Sequence, residues 1–136
     1  VIPKKILIVT GTRHGVHGER LAALRFEVLH ADLVIHGDGT GVDRDARTIA
    51  RNNGIQDLCA WANWAKHTDD AGPIRNSWMA AVGGAFKRDG HHVRFAAFPD
   101  PDSSGTWDTV NKLKAETIEG KIYDESYGLA AEKVSP

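Results

Sequence analysis

The chain holds a single cysteine, Cys59, among 136 residues. That scarcity excludes an intrachain disulfide and any zinc or iron–sulfur site built on several thiolates. Charge of one sign is also missing: Lys+Arg is 17, Asp+Glu is 18, and the net charge is −1. No basic surplus therefore points to nucleic acid or an anionic lipid surface. No apolar run approaches the ~20 residues of a membrane-spanning helix, and the opening VIPKKILIVT reads as a strand, not a signal peptide. Repeats, low-complexity blocks and long linkers are absent too. What remains is one near-neutral domain, for whose lone thiol a reducing cytoplasm is the simplest setting. Glycine, by contrast, is plentiful, with 14 residues, several of them clustered.

Apolar patterning divides the chain into alternating strands and helices. Lys4–Thr10 carries four consecutive aliphatics, Ile6 to Val9, as a strand covered on both faces does. Leu21, Leu24 and Val28 recur at helical spacing between about Gly18 and His30. Leu33–His36 reads as a second buried strand, followed by a helix over Val42–Asn53 with Val42, Ala46, Ile49 and Ala50 on one face. Ile55–Ala60 is a weaker strand, and Trp61–Gly72 reads as a loop. Pro73 suits the first turn of a helix reaching Asp89, with Ile74, Trp78, Ala81, Val82 and Ala85 aligned. His92–Phe98 is a fourth strand. A helix from Gly105 to about Glu119 turns Trp107, Val110 and Leu113 inward, and Ile122-Tyr123 forms a short fifth strand. The expectation is an α/β protein: one Rossmann-like three-layer α/β/α domain over residues 1–125, with a mostly parallel sheet of about five strands and a tail at 126–136.

Ligands of such sheets bind beyond the carboxyl ends of the strands, where helices begin. Four segments fall at such strand ends or helix starts. Gly11-Thr12-Arg13 offers a tight backbone path, a hydroxyl and a bidentate cation. His36-Gly37-Asp38-Gly39-Thr40-Gly41-Val42-Asp43 combines close backbone approach with a helix start. It is neither a P-loop, lacking Gly-Lys-Ser/Thr, nor a dinucleotide fingerprint, because Val42 stands where the last glycine belongs. Arg75 and Asn76 lie in the first turn of a helix, where the dipole disfavours a cation by ~0.3–1 kcal/mol. An arginine there is more suggestive than one elsewhere on the surface. The loop Pro99–Thr106 enters the next helix with Ser104, Gly105 and Thr106, as caps or as phosphate contacts.

Taken together, VTGTR, HGDGTGVD, GPIRN and FPDPDSSGT, in that order from Ile6 to about Tyr123, resemble the SLOG superfamily. The nearest likeness is to its small YspA-type branch, related to the Lonely Guy nucleotide hydrolases and to DprA. The resemblance implies a Rossmann-like fold that binds a nucleotide or a nucleotide-derived ligand, such as one related to ADP-ribose or NAD. In the hydrolase relatives an arginine and a glutamate support cleavage of the N-glycosidic bond. Arg75 matches that arginine, whereas Thr109 stands at the glutamate's place, with Asp108 one residue earlier and ~100° around the helix. Binding without turnover, by a sensor or sequestering protein, is therefore the leading expectation. Hydrolysis using Arg75 with Asp108 or Asp43 is the alternative.

Rival readings draw less support. A DNA-associated module, by analogy with DprA, lacks a basic stretch. Seven histidines include His14 with His17 and the pair His91-His92, but neither pair has a third ligand, so no metal site and no cofactor is expected. Trp78 and Trp107 sit at core spacing, while Trp61 and Trp64 flank a loop, where one stacks on a base or both bury a contact between copies of the chain. The expected partners are a small nucleotide-derived ligand and a second copy, with no membrane.

Overall fold

In the computed structural model, which describes residues 2–128, the chain begins with β1 (Lys5–Gly11), α1 (Gly18–Leu29), β2 (Leu33–Gly37) and α2 (Val42–Asn52). It continues through β3 (Gln56–Ala60), a short α3 (Trp64–His67), a 3-10 turn (Thr68–Asp70) and α4 (Ala71–Arg88), and ends with β4 (His92–Phe98), α5 (Ser104–Ala115) and β5 (Glu119–Ile122). The five strands form one sheet in the order β3-β2-β1-β4-β5, and every pairing is parallel. The strand order departs in both directions from β1. The carboxyl ends of β1 and β4 therefore border the crevice where this architecture binds ligands.

Alternation along β1 separates two cores, because successive side chains point to opposite faces of a strand. Leu7 and Val9 pack with Leu24 and Val28 of α1 and with Val42, Ala46 and Ile49 of α2. Ile6 and Ile8 pack on the other face with Met79 and Ala80 of α4 and Val110 and Leu113 of α5. The result is a Rossmann-like three-layer α/β/α domain. No helix of the described residues is long and apolar enough to cross a membrane. The expected tail lies outside the described residues from 129 onward.

Several local expectations are corrected. The stretch read as a loop from Trp61 to Gly72 contains α3, whose start is capped by the Asn63 side chain accepting the Lys66 amide at 3.1 Å. α4 begins at Ala71, so Pro73 is the third residue of its first turn, where no intrahelical donor is required. Its buried face is Ala71, Gly72, Asn76, Met79, Ala80, Gly83 and Gly84, with Val82 partly buried beside it as expected, whereas Ile74, Trp78, Ala81 and Ala85 are exposed. Gly83 decides this rotation: a Cβ there would stand 2.6 Å from Ile8 and 2.9 Å from Ile118. Ala80 and Gly83 meet the sheet side together with Met79, whereas Ile74 and Trp78 point away. Trp78 and Trp107, expected inside, are exposed. α5 stops at Ala115, Thr117 takes a left-handed φ of 60°, and β5 occupies 119–122 instead of 122–123. Tyr123, just beyond it, stacks on Phe98 with centroids 4.9 Å apart.

Candidate functional site

A cavity of about 380 Å³ opens beyond the carboxyl ends of β1 and β4. The loop after β1 supplies one wall. Its Thr12 amide donates to Phe98 O at 3.0 Å, and the Thr12 carbonyl accepts the Val42 amide at 3.0 Å. Those bonds clamp the β1 loop between β4 and α2. Gly41 is required for that contact, because a Cβ would collide with the Thr12 carbonyl and the Arg13 backbone. The Thr12 hydroxyl donates to Asp100 Oδ2 at 2.5 Å and accepts the His14 amide. Asp100 also pairs with Arg20 at 3.3 Å. The Thr12 hydrogen bond chiefly, with Arg20 assisting against the effect of burial, holds the Asp100 carboxyl below the usual carboxylate range.

The glycine loop after β2 forms the second wall, and Asp43 organises it. Its Oδ2 accepts the Gly39 amide at 3.0 Å. A Cβ on Gly37 would lie 2.7 Å from that oxygen and 2.9 Å from Arg75 Nη1, so Gly37 leaves the gap into which carboxylate and guanidinium both reach. Burial pushes the Asp43 carboxyl above its ordinary value, outweighing the Gly39 amide and the charges of Arg75 and His36. Arg75 Nη1 donates to Asp38 Oδ1 at 2.6 Å and Arg75 Nε to Asn76 Oδ1 at 2.9 Å. Below the loop, the buried His36 ring contacts Asp57 Oδ2 and Gly37 O, each at 2.7 Å. Cys59 reaches the same Gly37 carbonyl at 3.6 Å, and burial pushes its thiol up, which makes it a poor nucleophile.

The start of α5 forms the third wall. Among the described residues the Gly105 and Thr106 amides have no hydrogen-bond partner, and both residues line the cavity. A Cβ on Gly105 would meet nothing within 4 Å. The α2 start differs: its Val42 amide is taken by Thr12, the Gly39 amide just before it by Asp43, and Asp43 and Asp45 already face its dipole. The start of α5, unlike that of α2, has no carboxylate in its first turn, and both residues with unpartnered amides line the cavity.

Of the residues expected at the site, the cavity brings together Gly11, Thr12, Arg13, Gly39, Asp43, Arg75, Asn76, Ser104, Gly105 and Thr106. His36, Gly37, Asp38 and Gly41 stand behind this wall as its supports. Asp108 is not on the lining either: its Oδ2 accepts from Asn76 Nδ2 at 3.0 Å and from Lys112 Nζ at 2.8 Å. Thr109 is buried, its hydroxyl donating to Gly105 O at 3.1 Å. Sequence reasoning passed over Asp100 and Ser103, which also line the cavity. The signal was local, since the Asp100 amide donates to Ser103 Oγ at 2.8 Å, a hydroxyl contact three residues on that Asp-x-x-Ser spacing allows. No three His, Cys, Asp or Glu side chains among the described residues converge to hold a metal ion. No protein-family model matches this chain, and no curated protein is significantly similar to it.

Proposed function

We propose that this cleft binds a nucleotide or a nucleotide-derived ligand and that the protein acts as a sensor of it or sequesters it. The observation that carries the reading is the pair of unpartnered amides at Gly105 and Thr106, facing a cavity whose other walls present Arg13 and Arg75. Backbone amides at a helix start together with arginines are a strong combination for phosphate. The volume is near the lower end of small-molecule sites, which suits a mononucleotide moiety better than a full dinucleotide. Asp43, Asp100 and Asp102 outnumber Arg13 and Arg75 on the lining, so a polyanion such as nucleic acid is poorly matched, and a compact anion relies on the two free amides with the arginines beside them. Isothermal titration with AMP, ADP-ribose, NAD and cyclic nucleotides tests this. Heat that vanishes in Arg75→Ala supports it, and silence with all of these ligands rejects it.

Hydrolysis of the N-glycosidic bond is the second reading, and Asp43 is the observation that favours it. A carboxyl raised by burial, on the cavity wall beside Arg75, suits acid–base work at an oxocarbenium-like ribose. Asp108 in this reading orients Asn76 and is not the reacting group. Free base released by the wild type but not by Asp43→Asn, followed chromatographically, would establish turnover.

The protein also forms a homo-oligomer in this reading. Trp61, Ile74 and Trp78 are exposed around one depression, and α4 carries no exposed charge between Ala71 and Ala85 apart from the half-buried Arg75. A helix apolar on both sides is covered on both sides. A charge-free face suits a two-fold contact, in which each patch meets its own copy. A reducing cytoplasm accommodates the single thiol.

A further inference from the structure

We infer a second ligand site at the opposite end of the sheet, one that takes a small monocarboxylate with an apolar body. A cavity of about 550 Å³ opens there, between the amino ends of β1 and β4 and the last turns of α1 and α4. It shares no lining residue with the cleft described above, so the two sites are independent.

Strand register supplies the anion's partners. Lys5 pairs with His92, and Leu7 with Arg94. Paired residues on neighbouring strands, ~4.8 Å apart, project from the same face. The ammonium of Lys5 and the imidazole of His92, both exposed, thus stand side by side as donors for the two oxygens of one carboxylate. His91 accepts the Lys4 amide at Nδ1, 3.0 Å away, which leaves its other ring nitrogen as a donor.

The acidic groups nearby are already engaged. Glu27, the carboxylate of the lining, is buried and accepts from Arg94 Nη2 at 3.0 Å and from Tyr123 Oη at 2.8 Å. Asp32 accepts the backbone amide of Lys5 at 2.8 Å. Lys87, also on the rim, adds positive charge while its Nζ donates to Thr117. The lining thus sets Lys5, Lys87 and Arg94 against the single carboxylate of Glu27, even though the whole chain carries −1.

An apolar surface lies beside those donors. Phe26 is 60% exposed, its ring 4.2 Å from that of His30, and Leu7 and Ala31 continue the lining on the same side of the sheet. An inorganic anion would leave this surface wet, and an apolar amine would meet like charge. An aromatic or aliphatic monocarboxylate matches both halves of the cavity.

Titration of 15N-labelled protein with 3-phenylpropionate tests the assignment, with 3-phenylpropan-1-ol as the uncharged counterpart. The expected result is saturable shifts at the amides of Ala31, His92 and Val93, with the alcohol binding about tenfold more weakly. Phe26→Ala, which removes an exposed ring and keeps the fold by circular dichroism, weakens the acid about tenfold. Lys5→Gln brings its affinity down towards that of the alcohol. Absence of saturable shifts at these amides, equal affinity for acid and alcohol, or unchanged affinity in Phe26→Ala overturns the proposal.

Discussion

Arg75 Nη1 stands 2.6 Å from Asp38 Oδ1, and the other oxygen of that carboxylate, Oδ2, accepts the Ala62 amide at 3.1 Å. The arginine expected in the first turn is the fifth residue of α4, in its second turn, and is held there by the loop after β2, which is itself tied to the chain beyond β3. Its conformation is set before any ligand arrives, which reduces the ordering cost of binding.

The first expected outcome concerns this pair. Arg75→Ala lowers the affinity for AMP by roughly thirtyfold, the worth of a charge-assisted contact. Arg75→Lys recovers only part of that loss, because an ammonium keeps the charge but not the planar fork. Asp38→Asn costs about threefold, since it removes a positioning contact and leaves the cation. Calorimetry on the three variants and the wild type gives the order; equal affinities across the set would remove Arg75 from the site.

Two glycines of the cleft separate folding from binding. Gly41→Ala drives a methyl into the Thr12 carbonyl and lowers stability by about 2 kcal/mol. Gly105→Ala adds a methyl to open space, so stability stays within about 1 kcal/mol of the wild type. The same methyl stands before the two free amides and weakens nucleotide binding by about tenfold or more. Thermal melts and titrations of both variants check the contrast. A Gly105→Ala protein that binds normally shows that no ligand rests against α5.

The layered fold was legible in the sequence because glycines punctuate the strand ends and the aliphatic runs, such as Ile6 to Val9, are long enough to be buried on both faces. Most of the cavity lining was legible for the same reason, since loops after parallel strands converge. The rotation of α4 was hidden. Ile74, Trp78 and Ala81 form as regular an apolar stripe as the true inner face, and periodicity counts hydrophobicity without asking what fits. The close approach of Ile8 and Ile118 to Gly83 chose the small-residue side. Asp108 was drawn to the site by adjacency in sequence to Thr109, whereas Lys112, one turn on, holds its carboxylate against Asn76.

That rotation leads to a prediction on assembly. Trp78→Glu places a charge in the middle of the exposed face of α4 without touching either core, so the monomer folds with little change in stability. Sedimentation at two concentrations finds the wild type as an oligomer and this variant as a monomer. A monomeric wild type at the higher concentration would dismiss the contact between copies and leave the aromatic face for another partner.

The acid limb of stability rests on Asp57 together with Asp100, and runs against Asp43. Burial raises the Asp57 carboxyl, but the hydrogen bonds from His36 and Arg51 outweigh it and hold the group below the usual carboxylate range. A depressed folded value contributes stability that is present above the unfolded value of about 3.9 and is lost as pH falls through the folded one. Asp43 has the opposite sign. Its raised value makes ionisation in the folded state costly, so its contribution falls as pH rises from about 3.9 through the folded value. Urea midpoints measured from about pH 2.5 to 7 separate the two groups. Asp57→Asn costs about 2 kcal/mol at neutral pH by removing the carboxylate that the buried His36 ring and Arg51 both contact, and the loss shrinks in acid as the wild-type carboxylate is itself protonated. Asp43→Asn, which mimics the neutral carboxyl, is least harmful at neutral pH and gains on the wild type as pH rises. A profile in which both variants shift in parallel across the range would show that neither carboxyl has a displaced titration.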